Sequence, residues 1–279
     1  YSFPPNLKPE KYEEAFSDWC KDQDILFNGF INRLEIQDKK DRLDIFKELF
    51  TSLSENDPGL KDKLTELASR HDNIIPIELD VSNITDVKSR YKEINKNFDN
   101  GIDLVILNAG ISRLFTLEDI NKRYADIIKT METNYFGVTN CLSVIIPDMI
   151  KRKKGHIAIM SSIAGYRGLP NSIAYSPSKA ALINLADILK SELLHHGITV
   201  SIINPGFVDT DATKVNNFNM PSLVSIDYAT KKIIHGLSKE KYEICFPFLL
   251  SFTFKIMRFI PHKLYFYIIK KFIWKESPK

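Results

Sequence analysis

From residue 74 to residue 246 five short apolar runs alternate with four stretches of helical length. The runs are Ile74 to Leu79, Asp103 to Leu107, His156 to Ser161, Ile198 to Ile203 and Tyr242 to Phe246. Between them lie Val87 to Phe98, Ile120 to Lys151, Ala174 to His196 and Asp227 to Ser238, read as helices. Strands that are apolar on both faces and separated by helices can bury themselves only as a parallel sheet covered on both sides. The predicted fold is therefore α/β, a Rossmann-like doubly wound sheet. Its ligand belongs outside the carboxyl ends of the strands.

Within that frame Tyr175 and Lys179 are four residues apart at the start of a helix, which places them on one face. A phenol with an ordinary pKa of about 10 exchanges protons near neutrality when a cation stabilises its anion, and an ammonium one turn away does this. Thirteen residues before the tyrosine, Ser162 follows an apolar strand and precedes Gly165, so its hydroxyl is presented at the strand's C-terminal edge.

Ser162, Tyr175 and Lys179 in this spacing resemble the catalytic set of the short-chain dehydrogenase/reductase family. The resemblance runs from about Leu64 to Pro247. It includes Asn134 in the helix before the serine strand and Asn108-Ala109-Gly110 after the Asp103 to Leu107 strand. It also takes in Pro205-Gly206 with Val208 and Thr210 after a later strand, and Asp80-Val81. The resemblance implies hydride transfer with NAD or NADP as cofactor. It implies Tyr175 as acid or base, Ser162 on the reacting oxygen, Lys179 beside the tyrosine and on the nicotinamide ribose, and Asn134 holding a water linked to Lys179. Val208 and Thr210 would orient the carboxamide, and Asp80 and Val81 would meet the adenine.

The family's opening motif, a strand followed by a glycine-rich phosphate turn, has no counterpart. Before Gly101 only Gly29 and Gly59 occur. Residues 1–63 read instead as an atypical segment, charged and helix-like over Glu10 to Cys20 and Lys39 to Leu53, with Asp24 to Asn28 the one short strand pattern. The first strand-turn-helix is thus expected to be replaced by mostly helical chain. The gap in the sheet is filled in one of two ways: Ile74 to Leu79 moves in beside Asp103 to Leu107, the preferred arrangement, or Asp24 to Asn28 supplies a surrogate strand. The chain starts at Tyr1 rather than methionine and reads as a fragment, a processed product or a fusion.

Residues 64–247 form the core of this division, and residues 248–279 a basic, apolar C-terminal segment. From Lys241 to Lys279 eight lysines and arginines face two acids, Glu243 and Glu276, a net of +6 in a chain of net +3. No uncharged run there approaches the roughly 20 residues that span a bilayer. An apolar face with flanking cations reads as a segment lying on a membrane surface, with a dimer-packing helix, and so a homodimer, as the alternative. Nucleic acid is excluded, because the cations alternate with bulky aliphatics rather than forming a solvated stripe.

Cys20, Cys141 and Cys245 have no metal-ligand spacing and suggest a reducing compartment, hence a cytoplasmic protein, peripheral on a membrane. No metal site is expected. Three functions compete: an NAD(P)-dependent oxidoreductase acting on a small hydrophobic, lipid-like alcohol or ketone; a family-derived binding or scaffold protein without dinucleotide; and a membrane-peripheral interaction protein.

Overall fold

The computed structural model of the chain describes residues 24–27, 30–33, 69, 74–96, 101–210 and 220–273. The expected helices at Glu10 to Cys20 and Lys39 to Leu53 lie outside the described residues. The strands are β1 (Asp24–Phe27), β2 (Phe30–Arg33), β3 (Ile74–Pro76), β4 (Leu104–Leu107), β5 (Gly155–Met160), β6 (Ile198–Pro205) and β7 (Glu243–Phe246). The helices are α1 (Ile84–Lys96), α2 (Tyr124–Met131), α3 (Gly137–Arg152), α4 (Tyr175–Leu193), α5 (Ile226–Ser238), α6 (Phe248–Phe259) and α7 (His262–Ile268).

The described strands form one sheet in the order β3-β2-β1-β4-β5-β6-β7. From β1 to β7 every neighbouring pair is parallel. β4 is buried at all four positions, and β5 and β6 at nearly all, because helices cover both faces. The alternation in the sequence carries over to the structure from β4 onward with boundaries within a few residues.

The gap beside β4 is filled in the second of the two expected ways. β1 pairs in parallel with β4, with Ile25 opposite Leu104 and Phe27 opposite Ile106. Ile74 to Leu79 does not move in next to β4. Its ladder ends at Pro76 and pairs antiparallel with β2, two places away. The reason is economy of backbone hydrogen bonding: β1 and β2, joined by Asn28 and Gly29, pair antiparallel and satisfy both neighbours, whereas β3 alone would supply one short ladder. The N-terminal segment therefore contributes a hairpin to the sheet.

The single helix expected over Ile120 to Lys151 is two helices, α2 and α3, joined by a π-helical turn at Glu132–Phe136. Apolar periodicity reports a helix but not the extra residue that widens one of its turns, and such turns recur at functional sites.

In β5, His156 is buried, and its Nε2 lies 2.8 Å from Ser201 Oγ. Ser201 donates its own hydrogen to the Lys241 carbonyl at 2.6 Å, so the histidine proton sits on Nε2 and Nδ1 is left without a partner. Burial, reinforced by the Lys190 charge, pushes the imidazole down to about 4 from 6.5. The unfolded chain binds this proton and the folded chain does not, so stability rises with pH in this window. Folding should lose about 3 kcal/mol from this group between pH 6.5 and pH 4. In urea melts across that range, His156→Gln should show a shallower decline than the wild-type chain; equal slopes would exclude the assignment.

Candidate active site

α4 begins at Tyr175 because Ser172 holds its first turn: the Ser172 hydroxyl accepts from Ser176 N at 3.1 Å. Pro177 is tolerated there, since first-turn N–H groups have no intrahelical acceptor. Tyr175 is partly exposed, while Lys179 is buried one turn along, its Nζ 5.6 Å from the Tyr175 ring centroid and donating to the Met160 carbonyl at 2.9 Å. The ammonium is thus fixed between the end of β5 and the tyrosine, on the same helical face as the ring.

Ser162 follows β5 and caps the short 3-10 turn Ile163–Gly165, accepting from Ala164 N at 3.2 Å and donating to the Pro205 carbonyl at 3.4 Å. Two contacts lock this turn to α4. Ser161 Oγ donates to the Lys179 carbonyl at 2.8 Å, and Gly165 lies so close that a Cβ there would stand 2.8 Å from the same carbonyl oxygen. Any larger residue at 165 pushes the serine turn off the helix.

Asn134 sits in the π-helical turn, fully buried. Its Oδ1 accepts from Ile111 N at 2.6 Å, and its Nδ2 donates to Ile111 O and to Ser178 Oγ, both at 2.9 Å. Ser178 in turn donates to the Tyr175 carbonyl at 2.8 Å. Asn134 therefore ties the loop after β4 to the tyrosine helix. Both its amide hydrogens are committed, so a link from its side chain to Lys179 must run through the oxygen. Ser178 was not singled out by the sequence, since serines in helices routinely bond back to the preceding turn and give no signal of their own.

Asn108, Ala109 and Gly110 follow β4. A Cβ on Gly110 would lie 3.1 Å from Lys179 Nζ and 3.4 Å from Asn134 Oδ1, so bare backbone faces the cation. Pro205 ends β6, and Gly206 N donates to the Phe246 carbonyl at 2.7 Å. Val208 is buried and bridges Val224, and Thr210 ends that described stretch. Asp80 and Val81 form a turn beyond β3: the Asp80 carboxylate accepts from Ser82 N at 2.9 Å and Ser82 Oγ at 2.7 Å, and Val81 is buried. Asp80 also lines an open depression of about 760 Å³ with Ser82, Tyr124, Ile128, Lys129 and Thr133.

The site residues thus gather at the carboxyl ends of the strands of a doubly wound sheet, which defines a Rossmann-like α/β protein with a serine, a tyrosine and a lysine at its ligand edge. The sequence profile described as short chain dehydrogenase matches residues 48–220, and the chain belongs to that oxidoreductase family. It is similar to an uncharacterized oxidoreductase of Myxococcus xanthus, 34% identical over 191 residues that cover 68% of this chain and 74% of the relative. It is also 33% identical over 162 residues to dehydrogenase/reductase SDR family member 7B of Xenopus tropicalis, covering 56% of this chain but only 52% of that protein. The chain therefore spans about half the length of this vertebrate relative. Its fold matches that of a short chain dehydrogenase from Burkholderia cenocepacia solved in complex with NADP, with a TM-score of 0.60 at 23% identity over 72% of this chain and 79% of that one.

The residues present fit a nicotinamide dinucleotide at its two ends. Gly110 gives bare backbone beside Lys179 at one end, and the depression beside Asp80 offers room at the other. The glycine-rich turn that would hold the phosphates between them is missing from the sequence.

Proposed function

We propose that the chain is an NAD(P)-dependent oxidoreductase acting on a hydrophobic alcohol or ketone at a membrane surface. The observation that carries the chemistry is the fixed pair of Tyr175 and Lys179, with the Lys179 ammonium 5.6 Å from the ring and tied to Met160. When bound, the nicotinamide supplies or takes up hydride at the carbinol carbon. Tyr175 gives its proton to the ketone oxygen in reduction and takes it back in oxidation, while Ser162 donates a hydrogen bond to the same oxygen. Lys179 favours the tyrosinate that reduction leaves behind. Lys179 and Gly110 would hold the nicotinamide side, Val208 and Thr210 its carboxamide, and Asp80 and Val81 the adenine side.

The hydrophobic, membrane-facing part of the reading rests on α6. Phe248, Leu249, Phe252, Ile256 and Phe259 are 75%, 72%, 49%, 46% and 84% exposed. At roughly 100° per residue these five fall within a single arc of about 100°. The opposite side of the helix carries the buried Ser251 and Met257. Leu264, Phe266 and Tyr267 on α7 are also exposed. Among the described residues no helix is long and apolar enough to cross a membrane. An apolar arc in a segment of net +6 matches an anionic lipid surface better than a second copy with the same charge.

In flotation with phosphatidylcholine vesicles containing phosphatidylserine, the chain should rise with the lipid, and high salt should weaken the association. Phe252→Glu with Phe259→Glu should leave it at the bottom of the gradient. A chain that never floats, but changes from dimer to monomer on those substitutions, would assign the arc to a second copy. NAD(P)H oxidation with a series of hydrophobic ketones tests the chemistry, and absence of turnover with all of them would remove the oxidoreductase reading.

A further inference from the structure

The three residues that follow the serine turn, Tyr166, Arg167 and Gly168, are each bound to the C-terminal part of the chain. The Tyr166 hydroxyl donates to Glu243 at the start of β7 and accepts from Asn204 Nδ2 at 3.1 Å. Lys255 of α6 pairs with the other Glu243 oxygen, and its Nζ lies 5.8 Å from the Tyr166 ring centroid. Arg167 donates through Nη1 to the Arg258 carbonyl at 3.0 Å, and its guanidinium stacks 4.2 Å above the Tyr265 ring. The Tyr265 hydroxyl of α7 donates to the Gly168 carbonyl.

On its other side the same turn is fixed to α4 through Ser161 and Gly165. The Ser162 turn is therefore gripped between the helix that carries Tyr175 and Lys179 and the helices that carry the apolar arc. We infer that α6 and α7 position the Ser162 hydroxyl, with Glu243 and Lys255 as the positioning residues at the joint. This inference rests on the reading of Ser162 as the group that meets the reacting oxygen.

Two physical arguments support it. A partly buried ion pair is poor value as a source of stability, since desolvating the charges offsets their attraction, whereas its directional bonds fix geometry well. Burial opposes the Glu243 charge, yet the bonds from Lys255 and Tyr166 outweigh it and hold the carboxyl below its ordinary range. Burial, together with the bond to Glu243, pushes the Tyr166 phenol well above its ordinary value, so the hydroxyl stays a donor. The second argument is that Ser162 Oγ is held within its own turn by Ala164 N at 3.2 Å, while its bond outside that turn is the long one, 3.4 Å, to the Pro205 carbonyl. Its direction depends on where the turn is held, and small misplacements of a reacting group are costly.

The test compares Lys255→Met, Lys255→Arg and Glu243→Gln with the wild-type chain in three measurements: NAD(P)H oxidation with a hydrophobic ketone, hydrogen–deuterium exchange of residues 162–168, and thermal melting. Lys255→Met and Glu243→Gln should lower kcat about 10- to 100-fold with KM for NAD(P)H unchanged. They should also speed exchange in 162–168 while exchange in β5 and β6 stays as it was, and Lys255→Arg should restore both. Unchanged kcat together with unchanged exchange would overturn the inference, as would a loss of kcat that only follows a loss of folded protein. If the wild-type chain turns over no ketone, the proposed function fails and the exchange readout alone decides whether the helices hold the turn.

Discussion

Replacing Tyr175 with phenylalanine is expected to lower turnover by roughly 100- to 10,000-fold, the range that a positioned proton donor contributes. The substitution deletes one hydroxyl and leaves the ring beside the Lys179 ammonium. The backbone of the site is untouched, because Ser178 bonds the Tyr175 carbonyl and not its side chain. Ser172 still holds the first turn of α4. Melting should therefore move by no more than about 1 kcal/mol in stability, the usual net worth of one hydrogen bond. Lys179 is a poorer probe, since removing its buried ammonium also strips the Met160 carbonyl of its donor and mixes stability with chemistry. Initial rates of NAD(P)H oxidation, paired with melting curves, give the answer. A Tyr175→Phe protein within tenfold of wild type would mean that another acid serves the reaction.

The parts of this site that were legible in the sequence are those fixed by local geometry. Tyr175 and Lys179 share a helical face and Ser162 follows a strand, so the spacing together with the strand-loop-helix context and the family resemblance pointed to one end of the sheet. Strands β4 to β7 were legible for a similar reason: apolar residues on both faces leave no alternative to a covered parallel sheet. What the sequence concealed depends on partners distant along the chain. Ser178 matters only because Asn134, 44 residues earlier, donates to it. Tyr166 looks like any loop tyrosine until Glu243, 77 residues later, accepts from it. The filling of the sheet beside β4 ran against the preferred arrangement for the same reason: the place went to Asp24–Phe27 and not to Ile74–Pro76, because the choice turns on the β1–β2 pairing, which the apolar pattern of Ile74 to Leu79 does not report.

NADH and NADPH are expected to bind the 279-residue chain more weakly than micromolar, even with Lys179 held beside Tyr175 as the proposed chemistry needs. In a strand-turn-helix unit the first-turn N–H groups of the helix, unpaired within it, converge on the pyrophosphate, and glycines let the backbone come close. Here β1 is followed by β2, whose residues return antiparallel beside it and engage in ladders with β1 and β3. Backbone donors committed to a ladder are not available to a phosphate. Gly29 and Gly59 are too far apart to build the missing turn between them. A thermal-shift titration separates the outcomes clearly. With roughly 100 µM ligand, a Kd of about 1 µM would add about 2.7 kcal/mol, whereas a Kd of about 1 mM would add less than about 0.1 kcal/mol. In a protein of this size the first corresponds to a rise of roughly 5–10 °C and the second to no resolvable change. The second is the expected result for both cofactors. A rise of several degrees with either would show that this chain builds a phosphate cradle from residues other than a glycine-rich turn, and would identify its preferred dinucleotide in the same experiment.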